Sequence, residues 1–121
     1  MRVYLVAPVC NVPIPVPSGP ILSSDCSKAI DIIPKDQKNP QRLSQAGGTV
    51  QSQYKSCYIF VSSHTQLDIT LKKDDLQSMH SKIFGICKKQ SGSLVTNGGT
   101  VGLNGRVYMY VYFNGNAATA K

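Results

Sequence analysis

Four cysteines, at positions 10, 26, 57 and 87, constrain this chain more than any other feature. They are widely dispersed and form no C-x-x-C pair, which excludes a thioredoxin-like redox motif and argues against a zinc site. An even number of scattered cysteines in a basic chain of 121 residues reads as two disulfides, and hence an oxidising compartment. The competing reading is four free, buried thiols in a cytosolic protein. At this length the chain is one domain, 1–121, with room for a modest core.

Two stretches carry helical periodicity. Ser23, Ser24 and Asp25 offer N-caps, and Cys26, Ala29, Ile30 and Ile33 then fall on one face before Pro34 stops the helix. Asp74 opens the second helix with Gln77 at capping-box spacing. Leu76, Met79, His80, Ile83, Phe84 and Cys87 form its inner stripe, Lys88 and Lys89 suit its negative end, and Gly92 can end it.

The remaining apolar runs read as strands. Residues 2–7 are rich in β-formers, 49–63 turn to β with a dense run from Tyr58 to Val61, and 66–71 alternate Leu67, Ile69 and Leu71. Residues 93–96 lead into Asn97-Gly98-Gly99, and 100–103 into Asn104-Gly105, both hairpin signals. The last strand, 106–113, alternates strictly: Val107, Met109, Val111 and Phe113 on one face, Arg106, Tyr108, Tyr110 and Tyr112 on the other. Between these elements, 35–48 is a polar surface loop. Residues 1–22 hold an extended segment with Pro13, Pro15, Pro17 and Pro20, which reads as a lead-in strapped down by Cys10 more than as a Pro-x-x-Pro ligand, and 114–121 form a frayed tail.

The order strand, helix, two strands, helix, two strands predicts an α+β two-layer sandwich. Its antiparallel sheet has four to five strands, with both helices packed on one face. Four cysteines allow three connectivities. The pairing favoured is Cys26–Cys57, joining the first helix to the sheet, and Cys10–Cys87, tying the N-terminal segment to the second helix. By chain entropy such links contribute about 3.7 and 4.5 kcal/mol.

The charge is +7, and all six acidic residues are Asp. The absence of Glu removes one common general acid/base. A basic surface attracts polyanions, although the lysines occur in scattered pairs (Lys72 and Lys73, Lys88 and Lys89) and also serve solubility alone. No stretch is long enough to span a bilayer, and no N-glycosylation sequon occurs. The mildly apolar opening from Met1 to Val9 is short for a signal peptide, so the sequence reads as a mature chain whose leader is already removed.

Catalytic constellations are weak. Ser63, His64 and Asp68 are too local to form a triad, and His80 belongs to a packed helical stripe. A secreted ribonuclease assembled from His64, His80 and Arg106 is the strongest enzymatic alternative. There is no phosphate loop, Rossmann fingerprint or metal-ligand cluster, so no cofactor and no metal are expected. The feature most like a binding surface is the row Tyr108, Tyr110 and Tyr112 beside Arg106, where rings at period two can stack on bases or sugar rings. The plainer reading has these tyrosines covering the second face of the sheet, or packing with Tyr58 across strands.

Three segments together, GPILSSDCSKAIDII, GGTVQSQYKSCYIFVSS and DDLQSMHSKIF, resemble a secreted fungal effector family of necrosis-inducing factors. There a Ser-Asp-Cys opens the first helix, here Ser24-Asp25-Cys26; Tyr-x-x-Cys opens a strand, here Tyr54 to Cys57; and an Asp-led helix follows, here Asp74-Asp75. The resemblance covers roughly residues 10–105 and departs from the family at Cys87, which ends the second helix where the family places a cysteine beyond the following Gly-rich turn. The family is similar in architecture to the killer toxins of smut fungi. The resemblance implies an effector- or toxin-type protein of virulence with no catalytic residues to carry over; taken with the cysteines and the tyrosine row, the chain reads as a secreted, non-catalytic protein, monomer or weak homodimer. It would bind a host or competitor cell-surface component, protein or polyanion, through a basic, tyrosine-bearing surface. A nucleic-acid binder or ribonuclease and a protein-inhibitor module are the alternatives.

Overall fold

The computed structural model describes residues 4–5, 8–10, 20–35, 43–45, 47–63, 68–98, 100 and 105–114. Pro13, Pro15, Pro17, His64, Leu67, Gly99, Asn104 and the tail beyond Asn114 lie outside the described residues. The elements in order are β1 (Tyr4–Leu5), β2 (Val9–Cys10), α1 (Ser23–Asp31), β3 (Thr49–Tyr54), β4 (Cys57–Ser63), α2 (Lys73–Cys87), β5 (Gly92–Asn97) and β6 (Val107–Phe113).

The strands form an antiparallel sheet in the order β1-β5-β6-β4-β3, with β2 also pairing β5. On that edge the pairing steps by one residue between Leu5↔Thr96 and Val9↔Ser93. Pro8, which has no N–H to offer a ladder, sits in the step. Both helices lie on one face of the sheet and touch each other, α1 against β3 and β4, α2 against β2, β5 and β6. The expected two-layer α+β sandwich is therefore the fold.

Alternation makes the sheet one-sided. Ile59 and Val61 of β4, Val107, Met109 and Val111 of β6, Leu94 of β5 and Val50 of β3 all point into the layer beneath the helices. They meet Cys26, Ala29 and Ile30 of α1 and Leu76, Met79 and Ile83 of α2 in one apolar cluster. Both disulfides follow the favoured pairing. Cys26–Cys57 joins α1 to β4, and Cys10–Cys87 joins β2 to the last residue of α2.

Three local expectations are corrected. Of the strand expected over 66–71, the described residues 68–71 do not form one: Ile69 has a single bridge to Thr100. The Gln45 carboxamide takes up the Ile69 backbone, accepting from its N–H at 2.6 Å and donating to its C=O at 3.0 Å. A side chain thus does what a neighbouring strand would have done, while Ile69 and Leu71 remain buried. The helix starts also differ. Leu22 and Lys72 hold the N-cap positions and neither caps through its own side chain. Asp75, at the third position of α2, reaches back to the Lys72 N–H at 2.9 Å, and Gln77 spans to the Ser27 carbonyl of α1 at 3.0 Å.

Gly92 does not end α2, which stops at Cys87, with Lys88 (φ 59°) as the left-handed cap residue. Gly92 lies in β5 opposite Cys10. A Cβ there would fall 2.8 Å from Ile83 Cγ2 and 2.9 Å from Cys87 Sγ. The glycine keeps β5 close enough for the Cys10–Cys87 disulfide and the end of α2 to pack on it.

Candidate binding face

With both helices on one side, the other face of the sheet carries the alternate residues of each strand. The β4–β6 register sets Tyr58 opposite Tyr112, Phe60 opposite Tyr110 and Ser62 opposite Tyr108. To one side β3 adds Thr49, Gln51 and Gln53 to these rows, and to the other β5 adds Ser93 and Val95.

Four rings form a block. Tyr58 and Tyr112 lie 6.3 Å apart at 26°, Tyr110 and Tyr112 5.8 Å at 22°, and Phe60 and Tyr110 6.2 Å at 37°. Tyr58, Tyr112 and Tyr110 are stacked at small angles, while Phe60 is tilted against Tyr110. The Tyr58 hydroxyl donates to Gln51 Oε1, fixing one corner. Burial pushes the Tyr112 hydroxyl above the ordinary value of 10.0, and the neighbouring Tyr110 and Tyr58 push it the same way. These rings are half-buried against one another, and so present a surface without being free to collapse into it.

No protein-family model, curated protein or solved structure matches this chain.

The row Tyr108, Tyr110 and Tyr112 falls on one face, as alternation requires, and Tyr110 and Tyr112 are joined there by Tyr58 and Phe60. Phe60 is the member that sequence reading missed. Its signal was present, since Tyr58, Phe60 and Ser62 alternate with Ile59 and Val61, but a continuous run of β-formers masks its own period. Arg106 is exposed at the start of β6, off the end of the ring block.

Among the described residues, most of the positive charge sits elsewhere. Lys28 lies on α1, Lys72, Lys73 and Lys82 on or beside α2, and Lys88 and Lys89 directly after it. Lys55 occupies the β3–β4 turn in left-handed conformation (φ 47°), its ammonium 5.6 Å from the Tyr54 ring centroid. Among the described residues, no Lys, Arg, Asp or Glu shares the strand positions of the ring-bearing face.

Two of the three segments behind the family resemblance, those of Asp25-Cys26 and Ser56-Cys57, meet at one junction. Beside the Cys26–Cys57 disulfide, Asp25 Oδ2 accepts from the Ser56 hydroxyl at 2.6 Å and from its N–H at 3.1 Å. Ser56 Oγ in turn accepts from the Leu22 N–H at 3.0 Å. The dipeptides Asp25-Cys26 and Ser56-Cys57 thereby join the start of α1 to the start of β4 with a covalent bond and a polar lock.

His80 is 3% exposed in α2, edge-on to Phe84 at 4.8 Å, with Nε2 3.5 Å from the Ser23 hydroxyl. Burial lowers its pKa from 6.5, so near neutral pH it is uncharged. No hydrogen bond or ion pair joins it to Arg106, and His64 lies outside the described residues. Among the described residues there is no cluster of His, Cys, Asp or Glu able to hold a metal, and no helix long and apolar enough to cross a membrane.

Proposed function

We propose that this protein is a secreted, non-catalytic binding protein of the effector or killer-toxin-like type. It engages a host or competitor component through the tyrosine-bearing face of its sheet. The observation that carries the reading is the block of Tyr58, Phe60, Tyr110 and Tyr112 on the face opposite α1 and α2. Aromatic rings gathered at a surface supply large contact area at small entropic cost. Two disulfides hold the frame beneath them and suit an oxidising, extracellular setting. Chemistry within the protein is not required by this reading; the component bound is the effect.

The test is binding of labelled protein to intact plant and fungal cells and to their wall and membrane fractions. Tyr110→Ala/Tyr112→Ala is expected to weaken retention roughly tenfold or more, since truncating a tyrosine that anchors an interface commonly costs about 2 kcal/mol. Retention equal to that of the unmodified protein would refute the proposal.

A further inference from the structure

We infer that the ligand of the ring-bearing face is a neutral polysaccharide. The inference rests on the proposed use of this face and adds the chemical class of what it binds. Three observations select that class. The block offers three stacked tyrosine rings and a fourth ring, Phe60, tilted against Tyr110, two on β4 and two on β6, at 5.8–6.3 Å separations comparable with the length of a pyranose unit. A sugar ring presents C–H bonds of slight positive charge, which meet the negative face of an aromatic ring.

The border of the block supplies neutral partners. Gln51 and Gln53 flank it on β3, Ser62 stands in the next row on β4, and Ser93 on β5 borders Tyr110. Amides and hydroxyls both donate and accept, as sugar hydroxyls require.

Charge decides against the competitors. A nucleic acid also stacks on aromatics, but it needs cations tracking its phosphates beside the rings. A polyanionic wall polymer needs the same. In a chain of net charge +7, none of the described lysines occupies a strand position of this face, and Arg106 precedes β6, off the end of the ring block. A ring block with no cation among its described strand positions, in so basic a protein, matches an uncharged polymer.

The unmodified protein settles the matter. The chain has no Trp and six Tyr, so its intrinsic fluorescence comes from tyrosine, and Tyr58, Tyr108, Tyr110 and Tyr112 are on this face. Titration with soluble β-linked oligomers of glucose and of N-acetylglucosamine is expected to change that fluorescence saturably. Cosedimentation with the matching insoluble polymers is expected to vary less than about twofold between low and high salt, because no counterions are released. Tyr110→Ala/Tyr112→Ala, with both disulfides verified, should lower that affinity at least about tenfold.

Failure of the unmodified protein to bind any neutral polymer overturns the inference. So does a steep salt dependence with heparin as the preferred ligand, or a tyrosine-dependent self-association that buries the face in a dimer. If the double variant loses cell binding while neutral oligomers neither bind nor compete, this inference falls and the proposed function stands. If the variant still binds cells fully, the proposed function itself falls.

Discussion

At the scale of single residues, His80 shows how burial turns a titratable group into a stability term. Its Nδ1 has no hydrogen-bond partner, and its ring is held against Phe84. Charging it in place would bury a cation, which is why its folded pKa lies below 6.5. The unfolded chain takes up this proton near the ordinary value while the folded chain does not. Stability therefore falls as pH drops below about 6.5, and continues to fall until the folded pKa is reached, by at most about 1.4 kcal/mol per pH unit. Denaturant melts at pH 7.0, 6.0 and 5.0 should show this loss, and His80→Leu should flatten it. An unchanged slope in the variant would mean that other groups carry the acid sensitivity.

At the scale of elements, local periodicity was readable wherever one face is buried and the other is not. The stripes of α1 and α2 and the alternation of β6 are of this kind, and they fixed the layers and the side on which the tyrosines stand. What stayed hidden depends on partners distant in sequence. Asp25 reads as a cap, but its carboxylate is taken by Ser56, and the cap of α1 is left to Leu22. The alternation of 66–71 is genuine, yet Gln45 occupies the Ile69 backbone, a pairing with no period to detect. The ring block needed the adjacency of β4 and β6, which α2 and β5 separate in the chain.

Gly92 belongs with these, since a helix stop and a close approach look alike in sequence. Within a strand, Gly→Ala ordinarily helps; here the added methyl must displace Ile83 and a disulfide sulfur. Gly92→Ala should cost about 1–3 kcal/mol, the usual penalty of overpacking, read as a lower denaturant midpoint at unchanged slope. A midpoint equal to or above that of the parent would show that β5 moves aside without strain.

At the scale of the whole molecule, the two disulfides divide the work of closing the sandwich. Cys26–Cys57 is fully buried and reinforced by the Asp25–Ser56 lock, so it sits inside the cooperative core. Cys10–Cys87 spans a sequence separation of 77, pins the short edge strand β2 to the end of α2, and leaves Cys10 half-buried. Exchange requires a thiolate to reach a sulfur, so access orders the reaction. Mild reductant under native conditions should open Cys10–Cys87 first, followed by mass mapping of the alkylated cysteines. Each bond closes a long loop of the unfolded chain, and losing either should cost about 2–5 kcal/mol against a net stability of about 5–15 kcal/mol. Full reduction should therefore bring the melting transition close to ambient temperature. If Cys26–Cys57 opens first, the core is not organised around that bond. If the melting temperature ignores reductant altogether, the frame beneath the tyrosine face is held by packing alone, and the argument from disulfides to an oxidising compartment loses its energetic basis.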